Sequence, residues 1–260
     1  MENWPKFFNL IKFNELDSTN SEAKRLAFND NLNKCIFSKT QTRGKGSRGR
    51  HWISGSKNLT ASFLYYPKGN FINFSHRTFI ASLAVFDALK YSGVDDKDLI
   101  LKWPNDVLLK NRKISGILLE TVKDKNSSRV ALIIGVGVNL NSYPPQIGLS
   151  NYSKIKPISL NTVIGKKTPS PKDMVTYIAN SLLYWENTYI KEGFGNIKKF
   201  WLNFSYKIGN KLDFEFQGKV VEGSFSGISD DGSLRVLKDK KIVEINVGDV
   251  FFIIEFQIFF

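Results

Sequence analysis

The sequence of 260 residues predicts an α+β protein with a small all-β unit at its C-terminal end. Three observations predict it. Strand-like apolar runs recur through the first 140 residues, and other segments carry apolar residues at helical spacing. Past residue 206 the texture changes to short alternating strands broken by "QGK", "SDDGS" and "KDKK". Hydrophobic residues at 42% and charged ones at 23% suit a soluble chain with material for a large core. We therefore expect one domain over residues 1–205 and a second, small β domain over 206–260.

Residues 10–16 have the pattern of a short strand. "DSTNSEAKRLA" then offers Ser18, Thr19 and Ser21 as caps for a helix over 20–28. "CIFSKTQ" and "NLTASFLYY" are strands flanking the loop "TRGKGSRGRHW" (42–52). Ser75 opens a helix with Phe79, Leu83, Phe86 and Leu89 at helical spacing, stopping before Gly93. "DLILKWPNDVLLKNRKISGILLETV" gives strand, turn, strand and strand, with a hairpin turn expected at Asn111-Arg112, and "RVALIIGVGVNL" is an apolar strand. Four prolines between Asn141 and Ser170 predict a mobile surface segment. Ser170 to Asp173 form a capping box for a helix whose Met174, Ile178, Leu182, Trp185 and Tyr189 share one face, a core stripe. The closing "VFFIIEFQIFF" reads as a last strand packed on the small domain or the main one.

Charge is unevenly placed. Residues 201–260 carry 7 Lys/Arg against 9 Asp/Glu, so residues 1–200 hold net +15 of the chain's overall +13. Anions are the expected partners. A composition rich in Lys, Asn, Ile and Phe is one account of the scattered lysines, but it leaves the cluster at 43–50 unexplained. Four cations on a backbone with three glycines oppose folding through repulsion and entropy, so a negative ligand is expected there. The loop is not a Walker loop, and Gly44-x-Gly46-x-x-Gly49 leads into a strand, unlike a dinucleotide-binding turn. One cysteine, Cys35, excludes an intrachain disulfide, and with His51 and His76 it makes no zinc spacing; a cytoplasmic location is expected. No secretory signal opens the chain and no apolar run reaches the roughly 18 residues of a membrane span.

A second polar constellation is "KWPNDVLLKNRKISGILLE", with Lys102, Trp103, Asn105 and Asp106 at a strand end, then Lys113, Gly116 and Glu120. A polar run inside an apolar segment needs partners or a ligand, and two such runs point to one pocket. Trp103 and Trp52 read as core or pocket wall, His51 as incidental, Cys35 as inert, and Gly116, Gly135 and Gly137 as sites of close packing.

Taken together, "DSTN" (17–20), "QTRGKGSRGRHW" (41–52), "KWPNDV" (102–107), "RKISGILLE" (112–120) and "GVGVNL" (135–140) resemble, in order and over nearly the whole chain, the biotin protein ligases. The resemblance implies the fold in more detail: a mixed, mostly antiparallel central sheet with helices packed on it, of the biotin/lipoate ligase and class II synthetase type, followed by an SH3-like barrel. It also implies the reaction, in which biotin and ATP give biotinyl-5′-AMP and pyrophosphate. Biotin then passes to a lysine of a biotin carboxyl carrier protein, a subunit of acetyl-CoA carboxylase. Ser18, Thr19, Asn20, Gln41, Gly44, Lys45, Gly46, Ser47, Lys113 and Gly116 fall at positions for biotin. Lys45, Ser47, Trp52, Asn105, Lys113 and Asn139 fall around the nucleotide. Lys113, Asp106, Arg48 and Arg50 are the catalytic candidates, with Asp106 either orienting or deprotonating the acceptor amine, or simply bracing its turn. Mg²⁺ is implied on the ATP phosphates, with no carboxylate assigned to it.

Two positions depart from the usual Gly-Arg-Gly-Arg-Arg-Gly-Arg loop. Lys45 keeps charge but loses the planar fork, and Ser47 removes a cation, so a looser hold on the adenylate is expected. "STN" beginning at residue 18 leads us to expect the type without an N-terminal DNA-binding domain. Monomer and homodimer both stay open. Two alternatives are carried: a lipoate or octanoate ligase, whose Arg-Arg-x-x-Gly-Gly-Gly run is missing, and a basic protein binding nucleic acid or another anion, for which no helix-turn-helix accompanies the loop.

Overall fold

Side-chain alternation along the strands decides the layering. In this computed structural model, which describes residues 3–30, 32–53, 55–67, 71–143, 155–216, 219–246 and 250–252, seven strands form one sheet. They are β1 (Asn9–Leu16), β2 (Lys34–Gln41), β3 (Leu59–Tyr65), β4 (Leu99–Lys102), β5 (Asp106–Leu109), β6 (Arg112–Lys123) and β7 (Val130–Val138), in the order β1-β2-β3-β7-β6-β5-β4. Only β1 and β2 run parallel; the other pairs are antiparallel. The mixed, mostly antiparallel sheet expected from the sequence is the one that forms.

Because successive residues face opposite ways, Cys35, Phe63, Leu132 and Ile134 join the larger core with helices α2 (His76–Tyr91) and α4 (Pro171–Asn203). Their neighbours Ile36, Leu64 and Ile133 pack instead with Ala23 and Ala27, at helix α1 (Thr19–Leu26). Each fully buried Leu, Ile or Phe contributes about 1.5–3 kcal/mol, so the two apolar faces fix both helical layers.

Helix starts follow the sequence in two of three cases. Ser18 is extended and accepts from Ser21 N, which begins α1 at Thr19; the helix stops at Leu26, short of residue 28, and Phe28 sits at φ 66°. Ser170 accepts from Asp173 N and its hydroxyl donates to that carboxylate at 2.6 Å, starting α4. Ser75 does not cap α2, because it is itself helical and its hydroxyl donates to Asp231 O.

Two expectations need correction. The β5–β6 turn is Lys110-Asn111, both at positive φ (49° and 58°), as a tight hairpin requires, so Arg112 begins β6 and is not part of the turn. The proline-rich stretch is no surface segment over 157–160: Ile158 and Leu160 are buried in the larger core and Lys113 pairs with Pro157, whereas α3 (Asn161–Ile164) and the residues up to Ser170 are exposed or half-buried as expected of a surface segment. The rest of that reading, residues 144–154, lies outside the described residues.

After α4 ends at Asn203, β8 (Lys211–Phe216), β9 (Lys219–Ile228), β10 (Leu234–Lys238), β11 (Lys241–Ile245) and β12 (Val250–Phe252) form an antiparallel sheet, order β11-β10-β9-β8-β12. The start of the apolar closing run is thus the strand β12, paired with β8; residues 253–260 lie outside the described residues. No helix among the described residues is long and apolar enough to cross a membrane.

Candidate active site

On the α1 side of the large sheet lies a cavity of about 470 Å³. It gathers segments far apart in sequence: Ser18, Thr19 and Asn20 from the start of α1; Gln41 at the end of β2; Lys45, Gly46, Ser47, Arg50 and Trp52 from the basic loop; then Asn105, Lys113, Gly116 and Asn139. Of the expected residues, Gly44, Arg48 and Asp106 do not line it.

The polar end is built on α1. Thr19 donates its backbone N–H (2.7 Å) and its hydroxyl (3.1 Å) to Gln41 Oε1, so the helix start and the strand end fix one another. Ser62 Oγ, fully buried beneath, lies 2.5 Å from Asn20 Oδ1 and 2.7 Å from Thr19 Oγ1. Asn20 Nδ2 donates to Glu120 (2.8 Å), which also pairs with Lys24 at 2.5 Å. Burial works to raise the Glu120 carboxyl, but Lys24 and Asn20 outweigh it and hold it below the usual carboxylate range. Hydroxyls and amides in this braced array supply both donors and acceptors to a polar ligand head group.

Glycines make room for the walls. A Cβ at Gly135 would stand 2.2 Å from Asn20 Oδ1, and one at Gly137 would stand 2.2 Å from the Trp52 indole. A Cβ at Gly116 would stand 3.1–3.4 Å from the same ring and the Lys113 side chain. The expected close packing at these three positions is therefore packing against functional candidates. Trp52 Nε1 and Asn139 Oδ1 are buried at the wall with no hydrogen-bond partner among the described residues, which leaves a donor and an acceptor for a ligand.

The basic loop folds into a hairpin: Trp52 N donates to Gly44 O, Lys45 pairs with His51, and Gly46 N donates to Arg50 O. Arg50 Nη2 donates to Ser47 Oγ at 2.8 Å, so Ser47, one of the two positions noted above as departing from the expected loop, is bonded within the loop. Arg48 (φ 57°) and Gly49 (φ 73°) are both left-handed, and this turn carries the exposed Arg48 away from the cavity. His51 stands at the rim.

At the other end Lys113 Nζ pairs with Asp106 Oδ1 at 2.5 Å, and Lys102 Nζ is 3.9 Å from the same carboxylate. Burial pushes the Asp106 carboxyl up, but Lys113 and Lys102 outweigh it, with Arg50 adding its field; the net direction is down. Lys113 is held by its own backbone: its N–H donates to Lys156 O and its carbonyl accepts from Ile158 N. Asn105 Nδ2 donates to Ile117 O at 2.6 Å. Trp103 is not a pocket wall; it is buried in the core and donates to Gly232 O. Cys35 is fully buried, and burial raises its thiol pKa, in keeping with an inert residue.

Sequence reasoning missed Ser62, Thr60 and Pro157. Ser62 reads there as one more residue of an apolar strand; Pro157 was lost inside a composition-based loop. The only available signal for Ser62 was a polar residue facing the same way as Thr60.

A mixed sheet floors a cavity with hydrogen-bonding groups at one end and lysine and arginine groups at the other, which suits a small-molecule site for a ligand with a polar head and a negative charge. Comparison with known proteins gives the family. Residues 13–139 match the biotin/lipoate A/B protein ligase family and residues 214–253 the biotin protein ligase C-terminal domain. A biotin–[acetyl-CoA-carboxylase] ligase of Paracoccus denitrificans is 30% identical over 91% of this chain and 97% of its own. The bifunctional ligase/repressor BirA of Bacillus subtilis is 29% identical over 93% of this chain and 73% of its own. Among solved structures, the biotin protein ligase of Aquifex aeolicus in complex with biotin and ATP superposes with a TM-score of 0.77 at 26% identity, covering 93% of this chain and 98% of that one. The chain belongs to the biotin/lipoate A/B protein ligase family, on its biotin protein ligase branch.

Proposed function

We propose that this enzyme activates biotin with MgATP to biotinyl-5′-AMP and transfers the biotinyl group to a lysine of a biotin carboxyl carrier protein of acetyl-CoA carboxylase, in the cytoplasm. One observation carries the reading: a single cavity joins the braced Ser18–Thr19–Asn20–Gln41 array to Lys45, Arg50 and Lys113. The hydroxyl and amide array receives the ureido ring, directing the carboxylate toward the cations. That carboxylate attacks the α-phosphorus, a P–O bond forms, and pyrophosphate leaves. Two unit anions about 4 Å apart repel by about 4 kcal/mol at an effective dielectric of about 20; Lys113, Lys45 and Arg50 offset this where the charges meet. Mg²⁺ enters with ATP as its counter-ion. Trp52 and Asn139 offer the nucleotide a ring face, a donor and an acceptor.

In the second step the carrier lysine, as the free amine, attacks the acyl carbon of the mixed anhydride; the C–N bond forms, the acyl C–O bond breaks, AMP leaves and the proton on nitrogen passes to solvent. An amine of pKa about 10.4 is scarce as a free base at neutral pH. Asp106, its pKa lowered, is a weak base, so we assign it to holding Lys113 and orienting the incoming amine. Residues 206–260 form the second domain in this reading. The test is pyrophosphate release from MgATP with biotin or lipoate. Release with biotin alone is expected; release with lipoate alone would move the chain to the lipoate branch.

A further inference from the structure

The turn at residues 229–233, between β9 and β10, presents three successive backbone carbonyls to side chains of the larger unit. Asp230 O accepts from His76 Nε2 (2.9 Å), Asp231 O from Ser75 Oγ (3.1 Å) and Gly232 O from Trp103 Nε1 (3.1 Å). The turn is stiffened from within: Asp231 accepts from Ser233 N (3.1 Å) and Ser233 Oγ (2.9 Å), and Ser229 N donates to Ser233 O. Gly232 has φ 90°, and a Cβ there would stand 3.0 Å from the Phe79 ring. A stiff turn seated this closely on the larger unit holds the indole N–H of Trp103 in one place.

Trp103 opens the strap 103–106, which joins β4 and β5, strands of four residues each at the sheet edge. So short a hairpin has few ladder bonds to hold it. On its far side the strap is clamped to β6: Asn105 and Ile117 exchange two hydrogen bonds (2.6 and 2.9 Å), and Asp106 meets Lys113. We propose that the 229–233 turn of the second unit is a positioning device for the active site, fixing Asn105 and Asp106 through the Gly232–Trp103 hydrogen bond. The larger unit thus carries the reacting groups, and the smaller one sets where two of them stand. Its catalytic consequence rests on the ligase reading above; the positioning itself does not. Misplacement of a site by about 1 Å can cost up to about 100-fold in rate, and loss of one neutral hydrogen bond is worth about five-fold.

The experiment compares Trp103→Phe, which removes the donor, and Gly232→Ala, which displaces the acceptor, with Phe225→Leu, which weakens the core of the small sheet away from the strap. The Asp106 carboxyl is titrated by ¹³C NMR in the full chain, and kcat for pyrophosphate release and the Kd for biotin are measured. The expected result for both contact variants is an Asp106 titration moved up toward the ordinary carboxylate range and a kcat reduced about five-fold or more, with biotin Kd unchanged. Phe225→Leu moves neither. An unshifted titration, an unchanged kcat in either contact variant, or equal changes in Phe225→Leu would overturn the proposal. Should the wild type release no pyrophosphate with biotin, the ligase reading falls, and the carboxyl titration alone still decides the positioning.

Discussion

At Gly137 an added methyl group would have to share space with the Trp52 indole, 2.2 Å away. Overpacking of this kind costs about 1–3 kcal/mol. Gly137→Ala should therefore lose about that much stability in urea unfolding or expel Trp52 from the wall, and adding Trp52→Ala should cost little more, since removing the indole also removes the clash. Independent effects of the two substitutions would refute the contact. Asp106 makes a second residue-scale prediction. With its pKa held down by Lys113 and Lys102, it works as a counter-charge more than a base. Asp106→Asn should slow adenylate formation and leave the pH dependence of acyl transfer from preformed biotinyl-adenylate as in the wild type, rising as the carrier amine loses its proton; loss of a titrating limb that the wild type shows would restore the base role. Both residues were visible in the sequence as members of polar or glycine-rich runs. What each one touches was not, because Trp52 lies 85 positions from Gly137.

Elements add their own consequences. The basic loop is a hairpin in which Ser47 accepts from Arg50. Replacing Ser47 with Arg restores a cation and removes the side-chain acceptor of Arg50 Nη2, so we expect biotinyl-adenylate to dissociate more slowly from Ser47→Arg; equal rates would show that the departure is silent. Between α2 and α4, Arg77 pairs with Glu186 at 2.8 Å with both side chains nearly buried. Leaving one buried charge alone costs about 3–5 kcal/mol, the loss expected for Glu186→Ala by urea unfolding, with part recovered in Arg77→Met/Glu186→Leu. Helix and strand positions were largely legible, since Ser18 and Ser170 are capping residues ahead of periodic segments. The β5–β6 turn was misplaced by one residue because Lys110 gives no hint that it is left-handed. The 157–160 stretch was misread since prolines describe local stiffness, while Ile158 and Leu160 are held by the distant core.

Across the whole molecule the β9–β10 turn meets the helices of the larger unit at His76, stacked on Phe194 at 3.7 Å, with Tyr189 OH at Nδ1 and Asp230 O at Nε2. The Asp230 carbonyl can only accept, so Nε2 carries the proton and Nδ1 accepts from Tyr189 when the ring is neutral. Burial lowers the His76 pKa, Asp230 opposes this and Arg77 adds to it; the net direction is down. The sign follows: the unfolded chain takes up a proton near pH 6.5, so the stabilisation is complete above that value and is lost as pH falls from there through the folded-state pKa. Unfolding free energies of wild type and His76→Gln should converge between pH 7.5 and 5.5, and parallel curves would contradict it. Nothing in the sequence paired residues 76 and 230, or 103 and 232; contacts between units have no local signature. The division of labour in the cavity is the central claim, and mass spectrometry of a biotin carrier domain incubated with the enzyme, MgATP and either biotin or lipoate tests it most directly. The account predicts one biotinyl mass gained on a single lysine, abolished in Lys113→Ala. An unmodified carrier, or a lipoyl mass in its place, would contradict it.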